Sequence, residues 1–160
     1  MGRHLPSGRK KKLVSGIREC LPSDYNKGFL RLFKQLNGVE IKMTPEKFEK
    51  KVSLMKSQRG AVYVYEEDGE VVATGKLLIE HKFYDSVGHV EDVIVDEGRR
   101  GRGLGRLVVE FLADRAFKDG CYKIVLECGD GNIPFYEKLG FWAKGKQMVM
   151  YQPSSSLNKK

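Results

Sequence analysis

Residues 88–95 read Gly-His-Val-Glu-Asp-Val-Ile-Val, and residues 99–106 read Arg-Arg-Gly-Arg-Gly-Leu-Gly-Arg. The first segment is mostly apolar and β-branched, which is typical of a buried strand. From Leu104 onward apolar residues recur at helical spacing, so we predict a helix to about Lys118, ended by Asp119-Gly120. A strand, a glycine-rich loop and a helix in this order turn backbone N–H groups toward an anionic ligand.

The segments on either side predict further strands and helices. Thr44 and Pro45 form a typical helix start, and Asn37-Gly38 a typical helix end. The other predicted elements are strands at 13–18, 61–65, 71–80, 122–128 and 146–151, helices at 25–36 and 132–140, and a hairpin turn at 67–70. We therefore predict an α/β fold with a mixed, mainly antiparallel sheet flanked by helices, and with parallel pairing where the long helix crosses over.

Length and composition are those of one globular domain, predicted at 13–152, between a basic disordered arm (1–12) and a polar tail (153–160). Of the 160 residues, 41% are hydrophobic and 31% charged. No apolar run approaches the ~18 residues of a membrane span, so no membrane partner is expected. Cys20, Cys121 and Cys128 show no C-x-x-C spacing, which argues against a disulfide framework and a zinc site. Reduced thiols in a cytoplasmic protein without a metal are expected.

A formal net charge of +8 implies an anionic partner. Nucleic acid, a phosphorylated metabolite and a phosphorylated cofactor are the candidates. The cluster at 9–12 could contact nucleic acid, although a solvated tail is the commoner role of such a run.

The loop from Arg100 to Gly105 fits the pattern Gln/Arg-x-x-Gly-x-Gly/Ala. A Rossmann nucleotide loop is one competitor, but it usually follows the first strand of a parallel array, whereas this loop lies past the middle of the chain. The second competing interpretation is that the glycines only form a tight turn and bind no ligand. The flanking arginines favour a ligand with several phosphates, such as a pyrophosphate.

The acidic pair Glu91-Asp92 lies inside an apolar strand, where it is costly unless it is functional or paired. Adjacent strand residues face opposite sides, so both could reach one ligand only if a β-bulge broke the alternation. A structural ion pair with an Arg or Lys is the alternative.

Three blocks carry a family resemblance: residues 88–92, residues 120–124 (Gly-Cys-Tyr-Lys-Ile) and residues 132–141. Together with the loop they resemble the GNAT acyltransferase superfamily and, within it, the glucosamine 6-phosphate N-acetyltransferases, over about 13–151. The resemblance implies the GNAT-type acyl-CoA N-acyltransferase fold with splayed central strands and a bulge at the acidic pair. It also implies acetyl-CoA as co-substrate, D-glucosamine 6-phosphate as acceptor, direct attack in a ternary complex, a product that feeds UDP-N-acetylglucosamine synthesis, and a homodimer.

The same resemblance assigns roles to residues of this sequence. Tyr136 would protonate or stabilise the leaving thiolate, the Glu127 carbonyl would receive the amine proton, and Glu91 and Asp92 would hold the sugar. The implied cofactor contacts are Val93, Ile94 and Val95 with the pantetheine arm, Arg100, Gly101, Arg102, Gly103, Leu104, Gly105 and Arg106 at the pyrophosphate, and Asn132, Phe135 and Tyr136. The further implied substrate contacts are Asn37, Lys82, Tyr122 and Lys123.

Alternatives remain for several of these residues. A tyrosine on a helix usually only packs, Asn132 would also cap its helix, and Lys82 and Lys123 could be ordinary surface lysines. The family commonly has an arginine near the end of the last strand, where this sequence has Tyr151. Cys128 could form a covalent acetyl-enzyme with His89 as the nearest candidate base, but we favour direct attack.

Two other functions compete with the transfer to an amino sugar. A GNAT acetyltransferase for another amine, a protein lysine or a polyamine, would present an open acidic groove to a cationic acceptor. A basic nucleic-acid-binding module would depend on the arm and the net charge alone.

Overall fold

Five segments rich in β-branched and aromatic residues form one sheet in the computed structural model, which describes residues 16–152. The predicted basic arm, the polar tail and the start of the first predicted strand lie outside these residues. The strands are β1 (Ile17–Glu19), β2 (Gly60–Glu67), β3 (Glu70–His81), β4 (Ser86–Val95) and β5 (Cys121–Val125), in that spatial order. Strands β1 to β4 pair antiparallel and β4 pairs parallel with β5, which confirms the predicted mixed sheet.

Three helices accompany the sheet: α1 (Phe29–Asn37), α2 (Pro45–Ser57) and α3 (Leu104–Lys118). The Thr44 hydroxyl accepts a hydrogen bond from the Lys47 amide at 3.3 Å, which confirms the predicted cap of α2. The helix predicted from residue 25 was placed too early. Residues Pro22–Lys27 form a 3₁₀ helix, and Gly28, at φ 80°, separates it from α1.

Apolar side chains cover both faces of the sheet. Helix α3 packs on one face against Tyr63, Leu77 and Val90, while α1 and α2 pack on the other against Val64, Val71 and Ile94. Gly75 lies so close beneath α3 that a Cβ atom there would be 2.7 Å from Val108 Cγ1. The close approach of α3 to β3 therefore requires glycine at this position.

A buried ion pair joins the first segments of the chain. Asp24 is 0% exposed, and its carboxylate accepts hydrogen bonds from Arg18 at 2.7 and 2.8 Å and from the Leu21 amide at 2.8 Å. Burial alone would raise the pKa of Asp24, but these hydrogen bonds outweigh it and hold that pKa below its usual range. Arg18 also binds Glu66, so the pair ties the 3₁₀ helix to β1 and β2.

The described chain divides into two compact units after Leu126. The second unit contains a 3₁₀ turn (Asp130–Asn132) and the short helix α4 (Ile133–Glu137), which is shorter than the predicted 132–140. The predicted strand at 122–128 is too long, because β5 ends at Val125.

The strand predicted at 146–151 is wrong, because these residues form no strand ladder among residues 16–152. The apolar side chains that suggested it are exposed: Met148 by 95%, Val149 by 57% and Met150 by 97%. A strand needs a hydrogen-bonding partner as well as suitable side chains, so the side chains alone do not make one. No described helix has the length and apolar character that crossing a bilayer requires.

Candidate active site

The glycine-rich loop presents the N-terminus of α3 without a cap. Gly101 and Gly103 have φ values of 78° and 82°, and a Cβ atom on either would contact nothing within 4 Å. Glycine is therefore needed here for the left-handed backbone and not for space within the chain. No described side chain caps α3, and its first turn contains no acidic residue, so its leading N–H groups are available to an anion.

The arginines of the loop already have partners. Glu67, at the end of β2, accepts hydrogen bonds from Arg99 at 2.7 Å and from Arg102 at 2.7 and 2.9 Å. This lowers the pKa of Glu67, chiefly through the hydrogen bond from Arg102. Arg100 donates to the Val95 carbonyl at 3.2 Å, and Arg106 to Glu110 at 3.0 Å. Sequence reasoning missed Glu67, and only its position at the predicted hairpin turn could have suggested it.

The acidic pair lies in a β-bulge, as expected. Thr74 pairs with Ile94 and Lys76 pairs with Glu91, so Asp92 and Val93 together oppose the single residue Gly75. Asp92 has a φ of 50°, a left-handed conformation that is uncommon for residues other than glycine. The Asp92 carboxylate lies 3.6 Å from the Lys76 ammonium, so the ion pair considered as an alternative is also present.

The bulge turns both carboxylates toward one face of the sheet. Val90 and Val93 pack in the α3 cluster, which leaves Glu91 on the opposite face, the face that α1 and α2 partly cover. Lys76 also faces that side, because its neighbour Leu77 packs in the α3 cluster, and Asp92 meets Lys76 there. We call the polar side chains of this face the polar row: Lys76, Glu80, His89, Glu91 and Asp92.

Glu80 joins the polar row to the β3–β4 turn. One of its carboxylate oxygens lies 2.7 Å from Lys82 Nζ and the other 2.8 Å from His89 Nε2. Both hydrogen bonds lower the pKa of Glu80, and the bond with Lys82 has the larger effect. His89 therefore has the hydrogen-bonding role that we gave as the alternative to catalysis, and its partner is the Glu80 carboxylate.

Lys82 and Lys123, both predicted to contact the substrate, lie near one another with two tyrosines. The rings of Tyr84 and Tyr122 are 6.1 Å apart, and Lys123 Nζ lies 5.2 Å from the Tyr122 ring centroid. The hydrogen bond with Tyr122 raises the pKa of Lys123, against the opposing effect of the Lys82 ammonium. The sequence blocks 81–84 and 120–124 thus meet at the start of β4 and β5.

The second half of β4 has an open edge. The pairing of β4 with β5 ends at His89 opposite Val125, so within the described sheet the residues from Val90 to Val95 have no partner strand on that side. This unpaired edge includes Val93, Ile94 and Val95, which the resemblance assigned to the pantetheine arm.

Asn37 ends α1 close to the start of the loop. Its side-chain oxygen accepts a hydrogen bond from the Val39 amide at 2.9 Å. Two residues earlier, Gln35 accepts a hydrogen bond from the Glu97 amide at 2.9 Å and donates one to Asp96 at 3.3 Å. The end of α1 is thereby attached to the segment that leads into the glycine-rich loop.

The second unit contains the other candidates, Glu127, Asn132, Phe135 and Tyr136. The Tyr136 ring lies 5.0 Å from the Phe135 ring and 5.8 Å from the Phe141 ring, between centroids. Burial raises the pKa of the Tyr136 phenol, and a smaller electrostatic effect from Cys128 acts in the same direction. The helix-capping role expected for the Asn132 side chain is wrong, because its backbone is already helical and its side chain makes no capping hydrogen bond to α4.

Among residues 16–152, no three His, Cys, Asp or Glu side chains are arranged to hold a metal ion. The three cysteines are free thiols, of which Cys20 and Cys121 are buried and Cys128 is exposed.

Comparison with known proteins matches residues 18–141 to the acetyltransferase (GNAT) family. The chain is 42% identical over 142 residues to a glucosamine 6-phosphate N-acetyltransferase of Arabidopsis thaliana, covering 84% of this chain and 95% of the relative. It is 36% identical over 138 residues to a glucosamine 6-phosphate N-acetyltransferase of Dictyostelium discoideum, covering 82% and 87%. The crystal structure of the Arabidopsis enzyme superposes with a TM-score of 0.80 over 84% of this chain and 96% of that one. An acetyltransferase of Trypanosoma brucei, 30% identical, superposes with a TM-score of 0.80 over 85% and 98%.

Proposed function

The chain belongs to the GNAT acetyltransferase family, and from that premise we propose that it transfers the acetyl group of acetyl-CoA to the amine of D-glucosamine 6-phosphate. The observation that carries the acceptor assignment is the bulged pair Glu91-Asp92, on the same face of the sheet as a carboxylate that binds Lys82. The relatives of this chain that are named for this activity support the same assignment.

Coenzyme A would be held by the loop and by the open edge of β4. A pyrophosphate fits the uncapped N–H groups of α3, where the backbone carries partial positive charge. The pantetheine arm has amide groups of its own and would extend along the unpaired edge from Val93 to Val95, as a short added strand. The thioester would then lie at the gap between β4 and β5, near the acidic pair.

The acceptor would lie along the polar row. Glu91 and His89 are two residues apart on one face, roughly 7 Å along the strand. Glu80 contacts both His89 and Lys82, so a molecule the size of a hexose phosphate would reach from the carboxylates to the Lys82 ammonium. The carboxylates would hold the amine and hydroxyls, and Lys82 with Lys123 would bind the phosphate.

The reaction would proceed by direct attack in a ternary complex. The neutral amine forms a C–N bond with the thioester carbonyl, the C–S bond breaks, and coenzyme A leaves as a thiolate. We propose that the Glu127 carbonyl receives the amine proton and that the Tyr136 hydroxyl donates a proton or hydrogen bond to the thiolate. A phenol with an ordinary pKa of about 10 is already protonated at neutral pH, and burial raises the pKa of Tyr136 further.

A second copy of the chain would complete the assembly. Trp142, Met148 and Met150 are 75%, 95% and 97% exposed, which is unusual for large apolar side chains, and β5 is at the edge of the described sheet. We propose that these features are covered in a homodimer, in which the partner would supply the cation that Tyr151 does not.

Three free thiols favour a reducing compartment, the cytoplasm. The product would enter UDP-N-acetylglucosamine synthesis.

A thiol-release assay tests the acceptor. Acetyl-CoA would be incubated with the protein and, separately, glucosamine 6-phosphate, glucosamine or a lysine-rich peptide. We expect efficient release with glucosamine 6-phosphate, a kcat/KM at least about 100-fold lower without the phosphate, and none with the peptide. Preference for the peptide would refute the proposal in favour of an acetyltransferase for protein amines.

A further inference from the structure

We propose that Lys76 is a positioning residue of the acceptor site, which fixes the Asp92 carboxylate and offsets part of the negative charge around the bound amine. This inference rests on the proposed acceptor site. Neither the family motifs nor the sequence patterns pointed to Lys76; the strand register did.

The register places Lys76 beside the bulge. Lys76 is directly opposite Glu91 across the β3–β4 ladder, and its ammonium lies 3.6 Å from the Asp92 carboxylate. Asp92 has the left-handed φ of 50°, so its backbone is in a conformation that its neighbours must stabilise. An ion pair across the ladder directs the Asp92 side chain to the face that carries Glu91.

Glu80 and His89, two further members of the polar row, bind each other. Glu80 also binds Lys82, and among the described residues Lys76 is the cation that pairs with Asp92. The side chains of Lys76 and Asp92 are 24% and 35% exposed, so water screens their interaction only in part. The chain thus places one ammonium beside the Asp92 carboxylate, on a residue directly across the ladder from Glu91.

This arrangement has a consequence for catalysis. An amino sugar arrives largely as an ammonium ion at low pH and attacks only after it loses a proton. Two uncompensated carboxylates would stabilise the ammonium form, whereas a lysine ammonium beside Asp92 opposes this effect. The charged and titratable groups facing the amine would be Glu91, Asp92 and His89 from β4, Lys76 and Glu80 from β3, and Lys82 from the turn. Lys76 is the cation of this set that pairs with a carboxylate of the acidic pair, so it lowers the pH at which the amine becomes reactive.

Three variants test the role: Lys76→Met removes the charge, Lys76→Arg retains it, and Lys118→Met is a control at an exposed lysine of α3. We would measure kcat at saturating glucosamine 6-phosphate from pH 5.5 to 9.5, because its pH profile reports ionisation in the bound complex. Coenzyme A affinity would be measured by calorimetry, and stability by thermal unfolding. For Lys76→Met we expect the acidic limb of the profile to move about one unit upward and activity near pH 7 to fall roughly tenfold. Coenzyme affinity would stay unchanged, and Lys76→Arg and Lys118→Met would keep the wild-type profile.

An equal loss of activity at every pH would overturn the proposal, because a lysine with only a structural role would not shift the acidic limb of the pH profile. No loss of activity would overturn it as well. If Lys76→Met fails to fold, Lys76→Gln replaces it with the same expected profile. Failure of the proposed function is a separate result, because the wild-type chain would then turn over a different amine. The pH comparison of the variants would be made on that amine.

Discussion

Arg102 and Glu67 are joined by two hydrogen bonds, of 2.9 and 2.7 Å, that tie the glycine-rich loop to the end of β2. Arg99 binds the same carboxylate at 2.7 Å. A single carboxylate therefore holds both ends of the segment that precedes α3. The loop is arranged before any ligand arrives, and its arginines serve its shape as well as its charge.

Loss of the Glu67 carboxylate should weaken coenzyme binding, because the ligand must then order the loop itself. For Glu67→Ala we expect the Kd of coenzyme A to rise about fivefold with a less favourable entropy, measured by calorimetry. Glu70→Ala is the matched control, since Glu70 is in the same hairpin but pairs with Arg31 at 3.6 Å. Tighter coenzyme binding by Glu67→Ala would contradict this, because it would mean that Glu67 keeps Arg99 and Arg102 from binding the ligand.

Gly103→Val should abolish coenzyme binding. Valine strongly disfavours the φ of 82° found at Gly103, and its branched side chain would block the approach of a pyrophosphate to the N–H groups of α3. Gly120→Val, at the other end of α3 and at φ 86°, introduces comparable strain away from the loop. Both variants should lose stability in thermal unfolding, but only Gly103→Val should lose coenzyme A in calorimetry. If the two variants bound coenzyme A with equal affinity, the glycine-rich loop would not be part of the binding site.

Tyr136→Phe should lower kcat by about 100-fold with little change in coenzyme affinity, because the phenol acts on the leaving thiolate and the ring still packs. Steady-state kinetics would measure this. The control is Tyr25→Phe, which removes a structural hydrogen bond of 2.8 Å to the Met43 carbonyl and should leave kcat unchanged. A Tyr136→Phe enzyme with wild-type turnover would reduce Tyr136 to a packing residue.

Asp24→Asn should destabilise the fold by about 3 kcal/mol at pH 7, since it breaks a buried ion pair. The pKa of Asp24 is lowered in the folded state, so its stabilising effect is complete above the unfolded pKa of about 3.9 and is lost as the pH falls through the lower folded value. Urea denaturation should therefore give a difference between the two proteins that shrinks below about pH 4. Asp68→Asn, in the β2–β3 turn at φ 53°, should change stability by less than about 0.5 kcal/mol. A difference for Asp24→Asn that stays constant into the acid range would contradict the assigned ionisation.

Local patterns in the sequence predicted most of the sheet and the long helix. The apolar, β-branched stretch of β4 and the helical spacing after Leu104 are strong signals that tertiary contacts do not override. The bulge at Asp92 was anticipated from the family resemblance, whereas the residues alone indicated only that a regular strand could not aim two adjacent carboxylates at one ligand. The hairpin turn at Asp68-Gly69 followed from turn chemistry, with φ values of 53° and 79°.

The errors arose where partners distant in sequence decide the structure. Residues 146–151 have strand-forming side chains, but a strand exists only if another strand pairs with it. Likewise, nothing local at Glu67 or Lys76 reveals that each meets a site residue 16 or more positions away, across a strand ladder or a loop. Their positions depend on register, which a single sequence does not encode locally.

The central claim is that main-chain amides beyond β4 hold the coenzyme's diphosphate while Glu91 and Asp92 hold the sugar amine. A crystal soaked with coenzyme A and glucosamine 6-phosphate measures both contacts at once. The account predicts diphosphate oxygens within about 3 Å of the amides of residues 101–106 and the sugar amine within hydrogen-bonding distance of one of the two carboxylates. An empty loop, with coenzyme A bound elsewhere on the chain, would contradict it.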